Sequence, residues 1–141
     1  MTSRPYGMTL QVQVGDLARA REFYTALLGS SPEFEPHQDF LEWRVIPAGE
    51  TWLQAVGVTA LVRPLTNRVR FGVADIRTER GRLVGLGIDV SQVTALPRVV
   101  AFVDFADPWG NALGFYQDLA ASGQQPMTGG SGHDEDHFVT E

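Results

Sequence analysis

The turn Asp107-Pro108-Trp109-Gly110-Asn111, set between the apolar runs VVAFVDF and ALGFYQ, reads as a hairpin joining two strands. In many enzymes the returning strand of such a hairpin carries a carboxylate for a metal ion. Here it runs Ala112, Leu113, Gly114, Phe115, Tyr116, with no acid. Other residues equipped for chemistry are sparse. Cysteine is absent, which removes thiolate nucleophiles and disulfides. His133 and His137 stand four residues apart around Asp134, Glu135 and Asp136. That spacing holds a metal on a helix, but in a Gly/Ser-rich segment solvated charge is the expected state. His37, near a turn beside Pro36, reads as a surface residue. No nucleophile triad, phosphate loop or dinucleotide fingerprint occurs. What remains is a set of amides, arginines and aromatics recurring at every second position: Thr9, Gln11 and Gln13; Trp52 and Gln54; Arg68 and Arg70; Gly114 and Tyr116. A period of two puts side chains on one face of a strand. Amides and hydroxyls supply neutral hydrogen bonds, guanidinium forks suit carboxylate or phosphate, and flat rings stack on planar or cationic groups.

The elements that must position these residues are written twice. VQVGDLARAREFYTALLG at 12–29 and FGVADIRTERGRLVGLG at 71–87 match at Val14/Val73, Asp16/Asp75, Leu17/Ile76, Arg21/Arg80 and Leu27/Leu86, every pair 59 residues apart. The matches fall on positions with the same structural task, so duplication is the preferred reading. Each copy opens with an alternating strand: Leu10, Val12 and Val14 against Thr9, Gln11 and Gln13; then Val69, Phe71 and Val73 against Arg68, Arg70 and Gly72. Asp16 and Asp75 stand where an N-cap belongs. The helices that follow carry stripes of Leu17, Ala20, Tyr24, Leu27 and Leu28, and of Ile76, Leu83 and Leu86. Gly29 and Gly87 suit a left-handed helix end. Strands are expected near 33–36, 40–46 and 51–56, with a turn at Pro47-Ala48-Gly49, and near 88–94, 98–105 and 112–117. The predicted fold is therefore α+β: two tandem βαβββ modules, about 8–57 and 67–118, forming a curved, barrel-like mixed sheet with helices outside and a wet central cleft lined by the polar face. The phase of strand 40–46 stays open. Either Trp43 lines the cleft, or Glu42 and Arg44 do.

The chain has 141 residues, one domain's length, and its 43% apolar content is enough to bury a core. From about Ala121 the composition turns to Gly, Ser, Gln and acids, which predicts a mobile tail, or an arm docking through Phe138 and Val139. No apolar run approaches 18 residues and no signal-peptide core is seen, so no membrane association is expected. A net charge of −6 argues against a nucleic-acid partner. The lack of cysteine fits a cytoplasmic location.

A doubled βαβββ unit that opens VGDLARAREFYTALLG and closes DPWGNALGFYQ resembles the vicinal oxygen chelate superfamily, which includes glyoxalase I, extradiol dioxygenases, fosfomycin-resistance enzymes and bleomycin-resistance proteins. The resemblance covers residues 8 to 118 and identifies the scaffold, not the reaction. It implies that metalloenzymes of the group hold a divalent ion with four inward residues, at the positions occupied here by Thr9, Gln54, Arg68 and Gly114. Divalent metals want His, Cys, Asp or Glu donors. A hydroxyl, an amide, a permanent cation and a bare Cα do not match that demand. No metal and no cofactor are expected.

The expected ligand-binding set is Thr9, Gln11, Trp43, Trp52, Gln54, Arg68, Arg70, Gly114 and Tyr116. It contains no general base, since the inward set holds no His, Asp or Glu. Trp52 and Tyr116 either wall a ligand or fill the space between sheets, and Arg68 either meets a ligand or pairs with Glu42 or Asp104. Three functions follow: a metal-free protein that sequesters a small polar-aromatic organic molecule, as resistance proteins do; a lyase, isomerase or dioxygenase relative with unusual or absent metal; or a regulatory domain with a vestigial cleft. Catalysis is not favoured among them. A homodimer is expected by resemblance.

Overall fold

The computed structural model describes residues 3–120. The 121–141 segment, with His133, His137, Phe138 and Val139, lies outside the described residues. Two compact units are present, one reaching to Leu65 and including Pro108–Asn111, the other comprising Thr66–Asp107 and the chain from Ala112.

The first unit begins with β1 (Met8–Val14), followed by α1 (Leu17–Leu28), β2 (Phe40–Arg44) and β3 (Thr51–Gly57). Its sheet has the order β1-β3-β2, with β1 parallel and β2 antiparallel to β3. Asp16 ends the strand-to-helix turn as the predicted N-cap, its carboxylate accepting from the Arg19 N–H at 3.1 Å. Gly29 stops the helix at φ 73°, a conformation that costs a residue with a Cβ. Ala20, Tyr24 and Leu27 are the buried residues of α1, which packs on β2 and β3. Opposite them lie Val12, Val14, Leu41, Trp43, Leu53 and Ala55, all buried. Each large side chain fully removed from water here contributes about 1.5–3 kcal/mol.

The second unit repeats the plan with β4 (Val69–Gly72), α2 (Ile76–Gly85), β5 (Thr94–Leu96), β6 (Val100–Ala106) and β7 (Ala112–Asp118). Its sheet order is β4-β7-β6-β5, again with the first strand parallel to the last. Asp75 caps α2 by accepting from the N–H groups of Arg77 and Thr78. At the other end Gly87 (φ 80°) donates to the Val84 carbonyl and Ile88 to that of Leu83, which closes the last turn. Ile76 and Leu83 are buried as predicted, but Leu86 is 47% exposed and belongs to the helix end rather than its stripe. α2 packs on β6 and β7 over Ala101, Val103, Phe105, Leu113 and Phe115.

Two predicted strands are largely missing from their expected places, and β2 stops at Arg44 rather than at residue 46. At 33–36 only the bridge between Phe34 and Glu42 forms, in a segment bounded by Pro32 and Pro36, which lack the N–H a ladder needs. At 88–94 the ladder begins only at Thr94. Ile88 is committed to the helix end, and Ser91 exchanges bonds with Asp104: its N–H donates to the Asp104 carbonyl and its hydroxyl accepts from the Asp104 N–H.

Candidate functional site

Within each sheet the face away from the helix carries the polar residues. Strand register on the first sheet defines rows across that face. Thr9 pairs with Trp52 and Trp52 with Arg44; Gln11 pairs with Gln54 and Gln54 with Glu42. Thr9, Gln11, Trp52 and Gln54 therefore share one face, as expected. Trp43 does not. It is 0% exposed, tilted against Tyr24 at 5.5 Å between centroids, and its indole N–H donates to Thr25 Oγ1 at 3.4 Å. It is a core residue beneath α1, and the face it was expected to share is carried instead by Glu42 and Arg44.

The Gln11–Gln54–Glu42 row is a directed ladder. Gln54 Nε2 donates to Glu42 Oε2 at 2.8 Å, and Gln11 Nε2 donates to Gln54 Oε1 at 3.2 Å. A carboxylate only accepts, so Glu42 fixes which way the Gln54 amide points, and Gln54 in turn fixes Gln11. Of the two phases left open for this strand, the one with Glu42 and Arg44 on the polar face is found, which adds a carboxylate to the expected set. The neighbouring row is a clamp on Trp52. The Arg44 guanidinium lies 4.2 Å above the indole ring and also contacts Glu33 (3.4 Å), Glu50 (3.2 Å) and the Gly49 carbonyl. The indole N–H donates to Glu50 Oε1 at 3.3 Å. That bond, then the bond from Arg44, holds the Glu50 carboxyl below the usual carboxylate range. Trp52, Thr9 and Glu50 form one side of a groove of about 670 Å³ completed by Ser3–Met8.

On the second sheet Arg70 pairs with Gly114 and Gly114 with Asp104; Gly72 pairs with Tyr116 and Tyr116 with Phe102. Arg70 reaches across Gly114 to Asp104, its Nη2 donating to Oδ1 at 2.9 Å and its Nε at 3.2 Å, and stacks 4.3 Å from the centre of the Phe102 ring. Gly114 leaves no open room despite its lack of a side chain. A Cβ there would stand 2.9 Å from Arg70 Cγ and 2.6 Å from the Val103 carbonyl oxygen. The glycine is the trough in which the arginine stem lies. Tyr116 lies over Gly72 in the same manner and stays 39% exposed. Arg68 Nη1 donates to the Leu113 carbonyl at 2.6 Å and the Phe105 carbonyl at 3.0 Å, and its Nε stands 3.5 Å from Asp104 Oδ1. Of the two partners open to Arg68 from the sequence, Asp104 is the one it meets.

None of the four positions that the resemblance aligns with metal ligands offers the right donor. Thr9 and Gln54 are a weak hydroxyl and a neutral amide committed to the ladder. Arg68 is a cation bound to carbonyls and Asp104, and Gly114 has no side chain. Among the described residues no group of three or more His, Cys, Asp or Glu is placed to hold an ion. None of these residues fits a divalent metal.

Two acids on the polar faces, Glu42 and Asp104, were outside the expected set, although Glu42 was one of the alternatives left open for its strand. The signal was present in the strands themselves. In FLEWR and VAFVDFA the apolar residues Leu41 and Trp43, and Ala101, Val103 and Phe105, alternate with Glu42, Arg44 and Asp104, which sets the phase without a structure.

The glyoxalase-like domain family model matches residues 9–115. No curated protein matches the chain. Among solved structures the chain is similar to TnmS3, an antibiotic binding protein from Streptomyces sp. CB03234, at 22% identity, with a TM-score of 0.68 over 84% of this chain and 99% of that one. It is also similar to a glyoxalase / bleomycin resistance protein from Catenulispora acidiphila (22% identity, TM-score 0.65, 80% and 98% covered). A third is the fosfomycin resistance protein FosX from Listeria monocytogenes (16% identity, TM-score 0.64, 83% and 94% covered). At these identities the likeness is one of fold.

Proposed function

The chain belongs to the glyoxalase-like domain family of the vicinal oxygen chelate superfamily, and from that premise we propose that it binds a small polar-aromatic organic molecule without a metal ion, sequestering it as a resistance protein does. The observation that carries this reading is the Arg70–Gly114–Asp104 crossing. The position that supplies a metal ligand in catalytic relatives is a glycine here, and the space above it holds a guanidinium paired to a carboxylate. On the same sheet Tyr116 and Phe102 offer rings. The polar face of the first sheet offers the Trp52 ring and the hydrogen-bonding groups of Gln11, Gln54 and Thr9. Rings with a few polar groups are the mixture that orients an organic ligand. The antibiotic-binding neighbour supports the ligand class. No helix among the described residues is long and apolar enough to cross a membrane. The cysteine-free chain suits the reducing cytoplasm.

A thermal-shift screen of planar, polar aromatic compounds tests the proposal. Saturating ligand at about 100 times its Kd raises stability by roughly 2.7 kcal/mol, a readily measured shift. Absence of any stabilisation across the screen overturns it.

A second reading, a metal-free lyase or isomerase, draws on one observation: Glu42 places a carboxylate on the polar face. Its Oε2 is occupied by Gln54. Turnover of a screened compound that disappears in Glu42→Gln would favour this reading over sequestration.

A further inference from the structure

The second unit holds two guanidinium groups against one carboxylate. Arg68 and Arg70 both address Oδ1 of Asp104, at 3.5 and 2.9 Å, and the three side chains are each about one-third exposed. The cluster therefore carries one uncompensated positive charge in a protein whose net charge is −6. Its spare donors are identifiable. Among the described residues Arg70 uses Nε and Nη2 on Asp104, and Arg68 uses Nη1 on two carbonyls, leaving Arg70 Nη1 and Arg68 Nη2 without an acceptor.

The geometry is also fixed in advance. Arg70 is held from below by the Gly114 trough, from the side by Phe102 and at its tip by Asp104. A long cationic side chain normally loses much rotamer freedom when it binds an anion. Here that freedom is already lost in folding, so an incoming oxyanion meets spare guanidinium nitrogens that are already held in place. In the next row, Tyr116 is pressed over Gly72 while remaining part-exposed, and Phe102 pairs with it across the sheet. A cation and aromatic surface lie side by side on adjacent rows of one sheet, and strand neighbours at that spacing are within reach of a single small molecule.

We infer that this face is an anion seat, and that the bound molecule is an aromatic compound bearing a carboxylate or phosphate. The oxyanion bridges Arg70 and Arg68, and the ring lies against Tyr116. The inference rests on the reading of the protein as a small-molecule binder and narrows the ligand class within it.

The test compares four simple probes on the full chain by thermal shift and calorimetry: benzoate, phenyl phosphate, neutral benzamide and cationic benzamidine. Benzoate or phenyl phosphate is expected to bind best, weakening as salt is raised, and the better of the two identifies the oxyanion. Arg70→Gln should weaken it about tenfold or more, through loss of a hydrogen bond between charged groups. Asp104→Asn, which removes the competing carboxylate and keeps the side chain's shape, should tighten binding. Those opposite signs distinguish a seat from a structural ion pair, and the second variant stands even if the first fails to fold. Equal or better binding of benzamide or benzamidine overturns the anion seat while leaving a small-molecule binder in place. Unchanged or weaker benzoate and phenyl phosphate binding in Asp104→Asn also overturns the seat. Failure of all four probes to bind overturns the seat, whereas the wider compound screen decides the binding reading separately.

Discussion

Gly72 and Gly114 occupy neighbouring rows on one sheet face, yet a methyl group would meet different obstacles at each. At Gly114 the nearest atom is backbone, the Val103 carbonyl oxygen at 2.6 Å, which is fixed by the β6–β7 ladder. At Gly72 it is the Tyr116 ring at 2.9 Å, a side chain with freedom to lift. Gly114→Ala is therefore expected to cost about 1–3 kcal/mol by overpacking and to displace Arg70, whereas Gly72→Ala costs less and shifts Tyr116. Chemical denaturation of both variants checks the order, and equal costs would show that the carbonyl gives way. The ladder from Glu42 makes the same point about single residues. One acceptor-only group decides the orientation of two amides.

Element scale brings the two helices into contrast. Gly81 sits inside α2, where an added methyl group would find nothing within 4 Å, so Gly81→Ala should stabilise by roughly 0.5–1 kcal/mol through lost unfolded-state freedom. Gly87, at φ 80°, should respond in the opposite direction, losing about 1–2 kcal/mol on substitution by alanine. Paired melting curves for the two variants read both signs at once. The β2–β3 hairpin gives a pH signature. The indole N–H of Trp52 and the Arg44 guanidinium depress the Glu50 carboxyl, so its folded form binds a proton less readily than its unfolded form. Its contribution is present above the ordinary carboxylate range and is lost as pH falls through the depressed value. Glu50→Gln should accordingly destabilise at neutral pH, and the gap from the wild type should shrink in acid. A gap that stays constant from neutral to strongly acidic pH would contradict the assignment.

At the scale of the whole molecule, both units pair their first strand parallel to their last and cap their helices on equivalent aspartates, the pattern that duplication of one unit would leave. The positions that the resemblance aligns with metal ligands hold a hydroxyl and an amide (Thr9 and Gln54) in one unit, and an arginine and a glycine (Arg68 and Gly114) in the other. We propose a homodimer as the assembled form, which light scattering at tens of micromolar, on the order of a common assay concentration, would report as twice the chain mass. In the same preparation a chelator should leave the melting temperature unchanged, and added zinc or nickel should not raise it. Metal-dependent stabilisation would return the protein to the metalloenzymes of its superfamily.

Much was legible in the linear chain because it rests on local physics. Periods of two and 3.6, Asp16 and Asp75 as caps, and Gly29 and Gly87 at helix ends express backbone sterics and nearest-neighbour hydrogen bonding, and these identified both helices and the polar face. The family resemblance came from the same local motifs read in tandem. What the sequence left open depended on partners distant along the chain. Trp43 was decided by α1 lying over it, Arg68 by the carbonyls of Phe105 and Leu113, and Gly114 by the Arg70 stem that crosses it. Register, which no single strand contains, decides which side chains share a row, and so only the folded sheets determine which chemistry each polar face presents.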